Sequence, residues 1–431
     1  MKNANSLPET SSAMAWLVVA LLFFLGVINF ADKAVIGFAA IPIMHDLHLS
    51  HEEFGYIGSI FFWLFSLAAF LVGILSDRVS SKFLIAAMAI VWAGVQFSTV
   101  FISTFALLAI SRLVLGAAEG PSYNLSLHFA AKWLPETKRS FGFSIINSGS
   151  ALGPAIAAPV VVWIIHAYSW RLAFLALGIS SLVWFLFWII LAKEGSDTHI
   201  SRVETKPNVS LPKHNTSFMK RVRDIVSIRF ILIAFLLFST YWGLAVQIVW
   251  VPAYLEEIRH ISRAQQQVYF ALPWITGAIL GPIFGWLSDY IWRKTQSTLK
   301  AFVYILSPCA ILGAVCWYIL IAVAKDSTIV ALCLMGIGGL ASPIFILSFA
   351  FVTRIVPIND RGTALGVIEA LMSLGGLIGP AISGDLIQRN INSGYSEALV
   401  VVAWLSVVAA VLLGLTEIIQ ERRLTGESTP I

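Results

Sequence analysis

The sequence predicts an all-α integral membrane protein with twelve transmembrane helices in two six-helix bundles. Composition, the length of the apolar stretches and a polar segment in mid-chain lead to this prediction. Of the 431 residues, 58% are hydrophobic and 12% are charged, whereas a soluble domain carries about 25% charged residues. So few charges cannot cover the surface of a soluble protein of this length, which excludes a soluble fold.

The apolar stretches are continuous rather than alternating, and each approaches the ~20 residues that a helix needs to cross a bilayer. Helices are expected because a chain in lipid must satisfy its backbone hydrogen bonds internally. Twelve spans leave no room for a sizeable soluble domain. They cover residues 14–38, 53–75, 83–103, 105–130, 141–166, 170–192, 227–254, 265–289, 300–323, 328–352, 362–388 and 396–419.

The longest polar stretch runs from Lys193 to Arg223 and divides the spans six and six. We interpret it as a cytoplasmic linker. The predicted domains are therefore an N-terminal bundle over 1–192, a linker over 193–226 and a C-terminal bundle over 227–431.

Basic residues are concentrated in alternate loops. If both termini lie in the cytoplasm, the loops on the opposite side of the membrane hold only five of the 28 Lys and Arg residues, namely Arg171, Arg259, Arg263, Lys325 and Arg389. This asymmetry places both termini in the cytoplasm of a cell membrane, which we expect to be a bacterial inner or plasma membrane. It is a topology signal rather than the clustered basic face that nucleic-acid binding needs, so no nucleic-acid partner is predicted.

The two halves resemble each other in sequence. GILSDRVSSK (73–82) aligns with GWLSDYIWRK (285–294), and GPAIA (153–157) aligns with GPAIS (379–383), at matching positions of the two halves. These echoes predict a parallel internal repeat. The glycines of the second motif predict close helix packing.

Ionisable residues inside the predicted spans are the main candidates for function: Asp32, Lys33, Arg112, Glu119 and Glu369. Each costs about 2.5–3.5 kcal/mol at the bilayer centre on insertion scales. Such residues usually face an aqueous cavity, so we favour a functional role over the alternative of a purely structural ion-pair cluster.

Geometry limits how these charges pair. Arg112 and Glu119 share one helix face but lie about 10 Å apart along the axis, too far for direct contact. Asp32 and Lys33 point about 100° apart. If the first span lies beside the fourth, Asp32 approaches Arg112 or Lys33 approaches Glu119, and the sequence leaves both open.

Chemistry assigns roles to the same residues. Arg112 is the expected anchor for a carboxylate because guanidinium stays charged and binds bidentately, and Lys33 is a second anchor. Asp32 and Glu119 are the expected proton-coupling groups, since apolar surroundings raise the pKa of a carboxyl toward neutrality.

Further candidates for the cavity lining are Gln247, Asn147 and Trp63. Phe30, Phe65 and Ser150 are weaker candidates. For Glu369 three interpretations are open: a third titrating site, a partner for a cationic substrate group, or a solvated residue near the cytoplasmic end.

The repeated loop motif predicts a gating latch formed by Asp77, Arg78 and Lys82, with Asp289 in the second copy. A solvated loop is the alternative.

Gly73, Asp77, Arg78 and Lys82 resemble the signature of the major facilitator superfamily. INFADK (28–33) and RLVLGAAEGPSYN (112–124) are similar to its anion:cation symporter branch. The resemblance implies the major facilitator fold and import of an organic anion, such as a sugar acid or an aromatic or short-chain acid, together with protons. It also implies proton coupling at Asp32 and Glu119.

The glycine–proline motif of the fifth span is similar to that of drug/proton antiporters, so a proton-driven exporter is the main alternative. A membrane sensor and a membrane enzyme rank lower, because the termini are short and no zinc motif, nucleophile elbow or phosphate loop is present. We expect no cofactor and no metal. The expected partners are a small organic anion, protons and the lipid bilayer, and the expected state is a monomer.

Overall fold

The computed structural model describes residues 9–75, 79–134, 136–194, 226–322, 327–356 and 361–425. Over these ranges the chain is helical and contains no strand. Eleven helical stretches within them are long and apolar enough to cross a membrane. Many large apolar side chains lie on the outside, including Trp404 at 65% exposure, as expected for a lipid-facing surface. The predicted all-α architecture of a multi-pass membrane protein is confirmed.

A 3₁₀ turn covers Thr99–Phe101 and a π-helical turn covers Leu299–Val303. In chain order the α-helices are α1 (Glu9–Phe38), α2 (Ala40–Leu47), α3 (His51–Trp63), α4 (Phe65–Leu75), α5 (Ser81–Ser98), α6 (Phe105–Glu119), α7 (Ser122–Ala131), α8 (Glu136–Ala167), α9 (Trp170–Leu191), α10 (Ile228–Val249), α11 (Val251–Glu257), α12 (Arg263–Thr295), α13 (Tyr304–Ala322), α14 (Ser327–Ile355), α15 (Arg361–Arg389) and α16 (Ile391–Thr425).

Several predicted spans are interrupted. The second span consists of α3 and α4, which meet at Leu64, so neither helix alone is long enough to cross a membrane. The fourth span consists of α6 and α7, which meet at Gly120 and Pro121. Pro121 has no backbone N–H, so it cannot donate the helical hydrogen bond at this position. The seventh span breaks at Trp250, two residues before Pro252.

The chain forms two compact units. The first comprises residues 1–35 and 63–215, and the second comprises residues 36–62 and 216–431. Most of the predicted linker lies outside the described residues.

Within the first unit, α1 packs closely against α8. A Cβ atom on Gly149 would lie 2.3 Å from the Phe23 carbonyl oxygen, and one on Gly153 would lie 2.5 Å from that of Val27. Trp184 of α9 also donates a hydrogen bond to the Leu21 carbonyl oxygen at 2.8 Å. The glycines therefore set the separation of α1 and α8, and α1 carries part of the candidate site.

We expect Gly149→Ala to destabilise the first unit, because its methyl group would press on the α1 backbone. Overpacking of this kind costs about 1–3 kcal/mol. Gly94→Ala in α5 is the matched control, since nothing lies within 4 Å of its Cβ position. Thermal unfolding in detergent should show a lower Tm for Gly149→Ala only; equal Tm values would contradict the packing argument.

The second unit is built around α10, which packs against α15 and α16, while α12 packs against α14 and α13 packs against α14 and α16. A partly buried ion pair joins the start of α10 to the end of α16. Arg229 contacts Glu417 through Nε to Oε1 at 2.5 Å and donates from Nη2 to Oε2 at 2.7 Å. Glu417 is 1% exposed, so this pair fixes one end of the two helices.

Candidate functional site

A cluster of charged side chains lies inside the first unit, contributed by α1 and α6. Asp32 and Glu119 are fully buried, and Arg112 is 2% exposed. The Lys33 side chain is 9% exposed. The structure thus brings together Asp32, Lys33, Arg112 and Glu119, four of the five intramembrane charges considered from the sequence.

Lys33 forms the direct ion pair of this cluster. Its Nζ atom lies 2.6 Å from Oε2 of Glu119 and donates to Oδ1 of Asn29, one helical turn earlier. The rings of Phe30 and Phe65 lie beneath the ammonium, with centroids at 4.7 and 5.6 Å. Of the two contacts left open by the sequence, Lys33 with Glu119 is the direct ion pair, while Asp32 and Arg112 interact electrostatically.

Glu119 lies at the break in the fourth span, as the last residue of α6. A helix C-terminus carries partial negative charge and disfavours a carboxylate, so the Lys33 ammonium offsets both this effect and burial. A Cβ atom on Gly120 would lie 2.0 Å from the Phe65 carbonyl oxygen. Only glycine lets α4 approach so closely, which keeps the Phe65 ring beside Lys33.

Asp32 faces a different part of the unit. Its carboxyl lies near the Gln96 amide of α5 and within the electrostatic influence of Glu119, Arg112 and Lys33. Neither Asp32 oxygen has a hydrogen-bond partner among the residues that the structure describes. Asp32 and Lys33 are adjacent in sequence, but their side chains point toward different groups, because consecutive side chains of a helix diverge by about 100°.

Arg112 presents one hydrogen-bonding edge of its guanidinium inside the first unit. Its guanidinium packs over the Phe174 ring at 4.9 Å, while Nε and Nη2 have no hydrogen-bond partner within the described part of the chain. These two nitrogens form one side of the guanidinium fork. That side matches the two oxygens of a carboxylate, and such bidentate, charge-assisted pairs are among the strongest hydrogen bonds in proteins.

The remaining candidates for the cavity lining are distributed over both units. In the first unit, Asn147 is exposed and Trp63 is 64% exposed. In the second unit, Gln247 is 5% exposed and Glu369 is half-buried.

The predicted gating residues are only partly described. Asp77 and Arg78 lie outside the described residues. Lys82 lies at the start of α5 and donates from Nζ to the Ile189 carbonyl oxygen at 3.1 Å. Asp289 is exposed on α12, and its carbonyl oxygen accepts a hydrogen bond from Arg293 at 3.3 Å.

Glu194 joins three elements at one end of the first unit. Its carboxylate accepts hydrogen bonds from the Ser80 hydroxyl, from the Lys82 backbone N–H at 3.3 Å and from Lys132 Nζ at 3.0 Å. Burial alone would raise the pKa of the Glu194 carboxyl, but the hydrogen bonds from Ser80 and Lys132 and the charge of Lys132 outweigh it and lower that pKa.

A lowered pKa in the folded state means that ionised Glu194 stabilises the fold. This contribution is complete above the ordinary carboxyl pKa of about 4.3 and is lost as the pH falls through the lower folded value. We therefore expect Glu194→Gln to lower Tm near pH 7, with a difference that closes below about pH 4.3. Lys193→Gln, at an exposed neighbour, is the control; a difference independent of pH would contradict the assignment.

Sequence reasoning missed three residues of the cluster: Asn29, Gln96 and Phe174. The sequence could have identified the first two, because Asn29 precedes Lys33 by one helical turn and Gln96 is a single amide in an apolar span. No sequence feature distinguishes Phe174, since aromatic residues are abundant in the spans and only the fold places this ring against Arg112.

Comparison with known proteins identifies similar chains over nearly the whole length. A family model described as Major Facilitator Superfamily matches residues 22–380. A hexuronate transporter of Bacillus subtilis is 29% identical, with 91% of this chain and 92% of that protein covered. A probable sulfoacetate transporter of Cupriavidus necator is 27% identical, with 86% of each covered. A D-galactonate transporter of Escherichia coli is 24% identical, with 92% and 94% covered.

Solved structures show the same fold. A bacterial homolog of the human lysosomal transporter Spinster, inward-facing and unoccupied, gives a TM-score of 0.74 at 17% identity, covering 97% of this chain and 99% of that one. A D-xylose–proton symporter gives 0.73 at 13% identity, covering 92% and 96%.

Proposed function

Because the chain belongs to the Major Facilitator Superfamily and is a membrane transporter rather than an enzyme, we propose that it carries a small organic anion and binds that anion's carboxylate at Arg112. The observation that carries this proposal is the guanidinium edge of Arg112. A buried guanidinium whose Nε and Nη2 have no acceptor among the described residues is costly, and a substrate carboxylate supplies two oxygens in the matching geometry.

The relatives support the same chemical class. Hexuronate, galactonate and sulfoacetate, the compounds in the names of these relatives, share a carboxylate and differ in the rest of the molecule. The shared group is the one that Arg112 suits. A sugar acid or a short-chain acid is therefore the proposed substrate class, and Lys33 is a second cation near the site.

Proton coupling is assigned to Asp32 and Glu119. Each uncompensated charge moved across 100 mV is worth about 2.3 kcal/mol. Protons carried on the two acids offset the charge of an imported anion, so a symporter uses the inward proton gradient to accumulate it. The fully buried state of both carboxyls supports this role, because their charge is sensitive to whatever binds nearby.

The proposed transport cycle is alternating access, with the N-terminal bundle (1–192) and the C-terminal bundle (227–431) exposing the site in turn. In the second bundle, Gln247 and Glu369 are the proposed polar contacts to substrate. We propose that the protein works as a monomer in a bacterial inner or plasma membrane with both termini in the cytoplasm.

Uptake into proteoliposomes tests this function. Labelled hexuronate, galactonate and sulfoacetate are offered outside, with the exterior acid and the interior neutral. Accumulation above the equilibrium level that collapses with a protonophore is the expected result for at least one of them. Proton-driven expulsion of preloaded anion would instead favour the exporter, the alternative suggested by the glycine–proline motif of α8. The absence of movement in either direction would overturn the proposal.

A further inference from the structure

A groove in the second unit has no role in the proposed function. It has a volume of about 500 Å³ and lies between α12, the π-helical turn, α13 and α14. Its walls are almost entirely hydrocarbon, including Leu287, Ile291 and Leu312. Leu312 is 53% exposed, whereas Ile305 and Cys309 at the base are 6% and 4% exposed. The groove therefore opens sideways, toward the surface that faces the membrane.

One end of the groove is polar. Lys300 and Tyr304 line it there, one helical turn apart. Tyr304 is 55% exposed, and no described residue forms an ion pair with the Lys300 ammonium. Arg293 and Lys294 occupy the exposed last turn of α12 close by in sequence. Asp289 is the acid on this part of α12, so cations outnumber acids at this end.

The dimensions suit a lipid chain. Lys300 and Leu312 are twelve positions apart, which corresponds to about 18 Å along a helix. One leaflet contributes about 15 Å of hydrocarbon. The candidate spans end at Thr295 and begin at Leu299, so the cations lie at the level of the headgroups while the apolar walls extend into the bilayer.

We propose that this groove binds an anionic phospholipid, with an acyl chain along α12 and α13 and the phosphate at Lys300 and Tyr304. On the predicted topology this end faces the cytoplasmic leaflet. Basic pockets between helices on that side bind anionic headgroups. The π-helical turn supports the assignment, because such turns are rare and are found frequently at functional sites. In this turn Leu299, Phe302 and Val303 face the core, which leaves Lys300 directed outward.

Native mass spectrometry of the full-length protein in detergent tests the proposal. Phosphatidylglycerol and phosphatidylethanolamine with identical acyl chains are titrated separately. We expect phosphatidylglycerol to bind more tightly and Lys300→Gln to weaken it about fivefold, since one cation near the surface is worth about that factor. Lys193→Gln removes a basic residue from the inward side of the first unit and should leave binding unchanged.

A second variant tests the apolar part of the groove without changing any charged residue. Leu312→Trp fills the groove at an exposed position, so it should fold normally and lose binding of both lipids. Equal affinity of the unmodified protein for the two lipids, or an unchanged affinity of Lys300→Gln for phosphatidylglycerol, would overturn the proposal. So would tight binding to Leu312→Trp. None of these outcomes bears on Arg112 or on transport.

Discussion

Replacing Arg112 with alanine is expected to abolish binding of the organic anion. The residue is 2% exposed and offers Nε and Nη2 without a hydrogen-bond partner among the described residues. Truncating one partner of a buried charge pair costs about 2–5 kcal/mol. At the middle of that range affinity falls more than a hundredfold. Binding is measured as the ligand-dependent rise in Tm, because a ligand that binds the folded state stabilises it by mass action.

Two further variants separate binding from folding. Arg112→Lys keeps the positive charge and loses the fork, so it should bind more weakly than the unmodified protein and more tightly than the alanine variant. Arg389→Ala removes an arginine that is paired with Asp385 at an exposed position and should bind normally. Full affinity in Arg112→Ala would remove this residue from the site.

Glu119→Gln is expected to separate transport from the proton gradient. Glutamine has nearly the shape of glutamate but cannot take up or release a proton. In this variant Lys33 keeps Asn29 and the Phe30 and Phe65 rings as neighbours. The side-chain carbonyl of the glutamine can still accept a hydrogen bond from the Lys33 ammonium. Accumulation driven by a pH gradient should fall to the level of empty liposomes, while exchange of labelled for unlabelled anion at equal pH continues.

The matched control is Glu397→Gln, which changes an exposed acid of α16 and should leave both activities intact. Proton-driven accumulation by Glu119→Gln at the normal rate would refute the assigned role. Loss of both accumulation and exchange would instead indicate that Glu119 is needed to hold Lys33 in place.

The helices were predictable because lipid leaves the backbone few alternatives. Apolar length predicts the eleven described helical stretches that are long enough to cross a membrane. The predicted span over 53–75 is helical too, but it is divided at Leu64 into two shorter helices. The break itself was not predictable, since neither Leu64 nor its neighbours includes proline or glycine. The breaks near Pro121 and Pro252 coincide with a missing proline N–H, but Pro154 and Pro273 lie inside unbroken helices, so proline marks a permitted break and packing decides whether it occurs.

The buried charges were predictable as a set because ionisable residues in apolar spans are rare. Their partners were not. Which of Lys33 and Asp32 forms the direct ion pair with α6 depends on the rotation of α1, which is set by its contact with α8 at Gly149 and Gly153. That rotation results from packing between distant segments, and helical periodicity alone cannot report it.

The Nε and Nη2 edge of the Arg112 guanidinium, which has no hydrogen-bond partner in the described part of the chain, also bears on how the purified protein is handled. On the proposed role of Arg112, this guanidinium donates hydrogen bonds to the oxygens of any small anion that reaches it. Acetate, citrate and sulfonate buffers such as MES and HEPES all present such oxygens, so we expect them to compete with the substrate in a binding screen. Amine buffers with chloride as the counter-ion avoid this competition, and a substrate with low affinity is best sought in them.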